Sequence, residues 1–191
     1  AVEFYKHFGY GFKKLGNIVD NEGIYRMEKY PKKSKNNSNP NQYNMRPYID
    51  NEYHEYKEFI YQTKKQAYKK YVEENWGEWN EQIQRKLFNE FINNVASSAW
   101  IIQLNGKDIG FYNGQKLEDG SYEIGNICII PEYQNRGIGT QVLKDILELH
   151  KEQDIHIQCF KTNKVKKLYE KLGFILAGET DYHYQMIKEK Y

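Results

Sequence analysis

The run Gln134-Asn135-Arg136-Gly137-Ile138-Gly139-Thr140 restricts this chain more than any other segment. An apolar strand, Asn126-Ile127-Cys128-Ile129-Ile130-Pro131, precedes it. A helical pattern follows, with apolar residues at Val142, Leu143, Ile146 and Leu147 on one face. Strand, glycine turn and helix start together make an anion site in an α/β chain. The first amides of a helix have no internal acceptor and point outward as donors. The helix dipole adds partial positive charge at the same end. Gly137 and Gly139 remove side chains that would hold a phosphate away from the backbone.

Three readings of the loop compete. A Walker-type P-loop ends in Gly-Lys-Ser/Thr, whereas this loop reads Gly139-Thr140-Gln141. A dinucleotide fingerprint needs a third glycine, and position 142 is Val142. A bare Gly-x-Gly is also an ordinary structural turn. Gln134 and Arg136 add the positions that a plain turn does not need. With them the run resembles the Gln/Arg-x-x-Gly-x-Gly/Ala motif of the GNAT acetyltransferase superfamily, whose loop binds the pyrophosphate of acetyl-CoA. Downstream, Asn163-Lys164-Val165-Lys166-Lys167-Leu168-Tyr169-Glu170-Lys171-Leu172-Gly173-Phe174 is similar to the GNAT segment built on Asn and Leu-Tyr-Glu-x-Leu-Gly-Phe. The same residues also read as an apolar helical stripe stopped by glycine. The resemblance covers Tyr43 to Tyr191, and its specific part is Ile127 to Phe174.

Composition limits the alternatives. A chain of 191 residues can bury one full core. A net charge of +2 gives no broad basic surface for nucleic acid. Mean hydropathy of -0.92 and the lack of a long apolar run argue against a membrane span. No leader pattern is legible, and the chain starts on alanine, as a processed or trimmed chain does. Cys128 and Cys159 fall in expected buried strands without a Cys-x-x-Cys partner, which fits a reducing cytoplasm. The five histidines show no ligand spacing, so no metal is expected.

The first thirty residues read like the end of a domain. Ala1 to Tyr10 parallels Val165 to Phe174, and Tyr25-Arg26-Met27-Glu28-Lys29 parallels Tyr184 to Lys188. Residues 1–30 are therefore expected to be the C-terminal remnant of an upstream GNAT module, docked on the second module or on another chain in a dimer. Pro31 to Gln42 reads as a solvated linker. Residues 43–191 are expected to form the GNAT domain. A strand at Tyr43–Ile49 leads to a helix at Glu52–Val72 with Tyr53, Tyr56, Ile60, Thr63, Ala67 and Tyr71 on one face. A break at Trp76-Gly77 precedes a helix at Trp79–Val95 with Trp79, Ile83, Leu87, Phe91 and Val95 aligned. The period then changes to two. Ala99–Leu104 and Asp108–Tyr112 flank Asn105-Gly106, a type I′ hairpin signal. Asp119-Gly120 turns into a strand at Tyr122–Ile130, and further strands are expected at Ile155–Phe160 and Tyr182–Lys188. This order matches a GNAT fold, a mixed central sheet of antiparallel strands plus a splayed parallel pair, flanked by helices.

The resemblance implies transfer of an acetyl group from acetyl-CoA to a primary amine by direct attack, with no enzyme nucleophile. Backbone groups of Ile127, Cys128 and Ile129 would pair with the pantetheine arm. Arg136, Gly137, Ile138, Gly139 and Thr140 would cradle the pyrophosphate, flanked by Gln134 and Asn135. Asn163 would contact the cofactor arm or cap the following helix. Tyr169 is the candidate general acid, since a phenol keeps its proton at neutral pH. Some family members carry a glutamate where this chain has Gln158, which cannot take a proton. Glu123 is therefore the candidate base. Glu73, Trp76, Trp79 and Tyr112 are the candidate acceptor-binding residues, because carboxylates and aromatic faces attract a cationic amine. The acceptor is a small-molecule or peptide amine. The competing reading is a non-catalytic acyl-CoA-binding regulatory module.

Overall fold

Period-two patterning after Tyr43 builds one sheet of seven described strands, in the spatial order Tyr43–Pro47, Ala99–Leu104, Lys107–Lys116, Tyr122–Ile129, Ile155–Phe160, His183–Lys188 and Ile175–Glu179. The computed structural model describes residues 11–14, 25–28, 43–48, 54–95 and 98–190. The chain divides into the units Ala1–Gln42 and Tyr43–Tyr191. In the first unit, β1 (Gly11–Lys14) and β2 (Tyr25–Glu28) pair antiparallel, with Phe12 opposite Met27. The segments expected over Ala1–Tyr10 and Pro31–Gln42 lie outside the described residues.

The second unit runs β3 (Tyr43–Pro47), α1 (His54–Trp76), α2 (Glu81–Val95), β4 (Ala99–Leu104), β5 (Lys107–Lys116) and β6 (Tyr122–Ile129). It continues through α3 (Ile138–Leu149), β7 (Ile155–Phe160), α4 (Lys166–Lys171), β8 (Ile175–Glu179) and β9 (His183–Lys188). Among the described strands only β6 and β7 pair parallel; the other neighbours are antiparallel. Asn105 (φ 51°) and Gly106 (φ 81°) both take the left-handed conformation that a type I′ hairpin requires.

Alternation along β5 and β6 assigns the two faces. Phe111 and Cys128 join Ile60, Phe88 and Ile92 in a core beneath α1 and α2. Tyr112 and Ile129 lie on the opposite parity, toward the face that α3 covers. Val142, Leu143, Ile146 and Leu147 of α3 are buried, as the pattern predicts, and so is the Ile138 side chain at its start. Burial of each such side chain contributes about 2 kcal/mol.

Two expectations need correction. The buried face of α2 is Phe88 and Ile92, whereas Ile83 and Leu87 are 55% and 52% exposed. Trp79 precedes the helix, which Asn80 caps by accepting the Ile83 amide at 3.0 Å. Each four-residue step overshoots a full helical turn by about 40°, so a stripe of successive i+4 positions winds off the core face. Strand β8 was not expected. Ile175-Leu176-Ala177-Gly178 shows no polar alternation, and the strand lies at the sheet edge with Ile175 and Leu176 half exposed.

Candidate active site

The glycine turn opens α3 with its donors unspent. Asn135 (φ 58°) and Gly137 (φ 79°) are left-handed, and Gly137 is the N-cap. The first amide to find an acceptor inside the helix is that of Gln141, on the Gly137 carbonyl at 2.9 Å. Among the described residues, no hydrogen bond takes the amides of 136–140. A Cβ placed on Gly137 would meet nothing within 4 Å, so the turn faces open space. The exposed Arg136 guanidinium lies 4.9 Å from the Tyr133 ring, and Lys107 reaches the same ring at 5.2 Å. Lys107 is a second cation beside the loop that sequence reasoning missed, because it comes from the start of β5. Gln134 turns back and donates from Nε2 to the Ile129 carbonyl at 2.7 Å, which ties the loop to the end of β6.

Beside the loop the sheet opens. Parallel pairing of β6 with β7 covers only Tyr122–Ile124 and Ile155–Ile157. Beyond Ile124 the strands separate, and the edge of β6 that carries Ile127, Cys128 and Ile129 faces the gap. A groove of about 520 Å³ fills that splay. It is lined from β6 by Glu123, Asn126 and Cys128, from α1 by Lys64 and Tyr68, and from the α4 side by Asn163 and Tyr169.

A bulge in β6 shapes its floor. The register shifts between Asn113 and Gly114, leaving Gly125 without a partner on β5. A Cβ on Gly125 would lie 2.5 Å from Asn113 Nδ2. The extra residue turns Asn126 to the same face as Glu123. Asn126 Nδ2 donates to Asn113 Oδ1 at 2.8 Å, while its Oδ1 accepts from Tyr68 Oη at 2.8 Å and Lys64 Nζ at 3.2 Å. This network was absent from the sequence reading, since Lys64 and Tyr68 sit one residue beside the apolar stripe of α1.

The titratable groups of the groove are set by burial. Desolvation pushes the Tyr169 phenol far up, so it holds its proton throughout the physiological range. Burial also pushes the Cys128 thiol up to about 11, which leaves it inert as a nucleophile at neutral pH. Glu123 accepts a hydrogen bond from Gln115 Nε2 at 3.0 Å and opens into the groove. Gln158 lines the groove from β7. Asn163 caps the turn before α4, accepting the Val165 amide at 3.0 Å. Gly173 (φ 91°) then lets the Phe174 amide reach the Tyr169 carbonyl at 3.0 Å, closing the helix and fixing Tyr169.

Residues 57–174 match the model of the Acetyltransferase (GNAT) family. The chain belongs to the GNAT family of acetyltransferases. Among solved structures it is similar to PH1933 from Pyrococcus horikoshii OT3, with 17% identity and a TM-score of 0.63 over 78% of this chain and 99% of that one. The PaiA N-acetyltransferase of Thermoplasma acidophilum, solved with coenzyme A, aligns at 18% identity and TM-score 0.57 over 78% and 99%. A protein of Corynebacterium glutamicum, described as histone acetyltransferase HPA2 and related acetyltransferase, aligns at 15% identity and TM-score 0.59 over 77% and 96%. No curated protein matches the sequence.

Within this GNAT unit the four expected acceptor-binding residues do not line the groove. Tyr112 is fully buried on the α3 face, where its hydroxyl meets that of Tyr122 at 2.5 Å. The strand parity that sends Phe111 toward α1 sends Tyr112 away. Tyr112→Phe should therefore cost about 1–3 kcal/mol, since it strands the Tyr122 hydroxyl, and leave acceptor KM unchanged. Thermal melts and steady-state kinetics on the same variant check both halves. Glu73 lies on the outer face of α1 and pairs with Lys69 at 3.6 Å. Trp79 donates to Glu81 at 2.9 Å and lines an adjoining hollow of about 270 Å³ that shares Lys64, Tyr68 and Phe91 with the groove. Trp76 packs on Tyr182 with centroids 4.5 Å apart and touches the groove only through Phe160, at 6.1 Å. Helix α1 runs a turn longer than expected, to Trp76, with Gly77 (φ 89°) just after it, and carries Glu73 and Trp76 past the groove. A hollow of about 660 Å³ beside Glu73 is lined by α1 alone and is a furrow between its exposed side chains. Among the described residues there is no cluster arranged to hold a metal, and no helix is long and apolar enough to cross a membrane.

Proposed function

We propose that the second unit is an acetyl-CoA-dependent N-acetyltransferase acting on a primary amine of a small molecule or peptide. The carrying observation is the set of unspent amides at 136–140, in the turn that follows β6, together with a groove along β6 that contains both a proton donor and a carboxylate. Acetyl-CoA supplies the activated acetyl group as a thioester. Amides 136–140 and Arg136 would hold its diphosphate, with Gln134 and Asn135 flanking. The open edge of β6 at Ile127, Cys128 and Ile129, with Asn163 opposite, would receive the pantetheine arm. Glu123 takes a proton at its carboxylate from the incoming ammonium, directly or through water. Tyr169 Oη gives a proton to the leaving group. The protonated, buried Cys128 thiol supports direct attack without an acyl-enzyme.

Calorimetry with acetyl-CoA, followed by thiol release across an amine library, tests this reading. Saturable binding with thiol release is expected. Absence of saturable heat at millimolar acetyl-CoA would overturn it. The second reading, a non-catalytic acyl-CoA-binding module, is favoured by Gln158, an amide that cannot act as a base. It requires binding without thiol release.

We also infer that residues 1–30 are the C-terminal remnant of an upstream GNAT module. Continued two residues past Tyr10, the first sequence parallel sets Phe12 against Leu176, and the second sets Met27 against Met186. The strand registers agree with it, since β1–β2 sets Phe12 opposite Met27 and β8–β9 sets Leu176 opposite Met186. Docking of this remnant on the second unit or on another chain remains part of the proposal. Free Cys128 and Cys159 suit a cytoplasmic setting.

A further inference from the structure

The groove contains a cation without an acid of its own. Lys64 Nζ lies 4.5 Å from the Tyr68 ring centroid and 4.3 Å from that of Phe91. An ammonium has three protons to donate, and Asn126 Oδ1 accepts one at 3.2 Å. That oxygen already accepts from Tyr68, so the network offers Lys64 nothing more. Among the described residues, no carboxylate lies within ion-pair distance of Lys64. Its neighbours along α1 differ, since Lys65 pairs with Glu81 at 2.8 Å and Lys69 with Glu73 at 3.6 Å. Aromatic faces attract an ammonium but accept no strong directed bond. Desolvation works against the charge and lowers its pKa. An anion arriving in the groove would restore what burial removes.

Glu123 occupies the same groove, on the same face of β6 as Asn126. The bulge at Gly125 is what aligns them. One side of the groove thus carries a carboxylate beside the expected site of amine attack, and the α1 side carries an ammonium. A plain amine would satisfy only the first. An acceptor bearing an amine and a carboxylate satisfies both. Phosphate on the acceptor would need more donors than one ammonium and one occupied tyrosine hydroxyl.

We propose that Lys64 binds the carboxylate of the acceptor, so that the groove takes free amino acids in preference to simple amines or amino-acid amides. The proposal rests on the acetyltransferase reading of the groove, and its test separates the two. The twenty common amino acids, each as free acid and as C-terminal amide, are titrated calorimetrically into protein saturated with coenzyme A. At least one acid should bind roughly tenfold or more tightly than its amide, as expected for a charge-assisted contact. Lys64→Met should close that gap while the heat of coenzyme A binding stays unchanged, and Lys64→Arg should restore part of it. Lys64→Met that weakens acid and amide alike would make Lys64 a strut for Asn126 and overturn the proposal. So would a wild-type protein that binds no acid more tightly than its amide. Thiol release from acetyl-CoA is read on the same panel. Acid-selective binding without thiol release keeps the carboxylate site and removes acyl transfer. Thiol release that is indifferent to the carboxylate does the reverse.

Discussion

Tyr169→Phe is expected to lower kcat roughly 100-fold, the range of a lost general acid, while acetyl-CoA affinity stays within about twofold. The substitution removes one hydroxyl and keeps the ring. That ring packs on Phe174, with centroids 5.8 Å apart, and its backbone closes α4, so neither interaction changes. Among the described residues none hydrogen-bonds the phenol, so its loss strands no buried partner and the melting temperature should hold. A purely structural tyrosine would give the opposite pattern, with altered stability and unaltered turnover. The pH profile adds an independent reading. Burial raises the phenol above its ordinary value near 10, so its proton stays bound as pH rises through the physiological range. Wild-type kcat should therefore show no alkaline limb from Tyr169 below about pH 10. Stopped-flow or continuous thiol detection from pH 6 to 10, on both proteins, measures the two effects together. An unaltered rate in Tyr169→Phe would retire it as the acid.

The parts of the fold that were legible in the sequence are those where local chemistry dictates geometry. Patterning changes from strand-like to helix-like across Gly137 and Gly139, so strand, turn and α3 could be read together, down to the buried Val142, Leu143, Ile146 and Leu147. Asn105-Gly106 needed only its own backbone preference. The groove was less legible because tertiary events decide which residues face it. The Gly125 bulge brings Glu123 and Asn126 to one face although simple alternation separates them. Tyr112 was assigned to the groove by its chemistry, and one step of parity buries it on the other side. Lys64 looks like one of many solvated helix lysines until α2 supplies Phe91 and β6 supplies Asn126 around it. Glu73, Trp76 and Trp79 have the chemistry of an amine site, but α1 extends to Trp76 and carries Glu73 and Trp76 clear, while Trp79, past its end, bonds Glu81 in the adjoining hollow.

Gly137→Val should raise the acetyl-CoA Kd at least 100-fold, and a matched change elsewhere shows why strain alone is not the cause. Gly137 sits at φ 79°, where an L residue costs roughly 1–2 kcal/mol and a β-branched one more. Its Cβ would meet nothing within 4 Å, so no clash adds to that cost. Gly120, in the turn before β6, is alike in both respects, with φ 88° and open space around it. Gly120→Val should thus lower the melting temperature by a similar few degrees, as about 1–2 kcal/mol does in a domain of this size. The two differ in what the backbone does next. Relief of strain at Gly137 rotates the peptide planes that aim amides 136–140 outward, and the flexible Arg136 guanidinium cannot stand in for a set of fixed main-chain donors. Relief at Gly120 perturbs a hairpin at the far end of β6 and the bond that Gln153 Nε2 donates to its carbonyl at 2.8 Å, both away from amides 136–140. Equal losses of stability with a loss of acetyl-CoA binding confined to Gly137→Val would identify the turn as the diphosphate site. Retention of wild-type affinity by a folded Gly137→Val protein would remove the turn from cofactor binding, and with it the orientation that brings a thioester toward Glu123 and Tyr169.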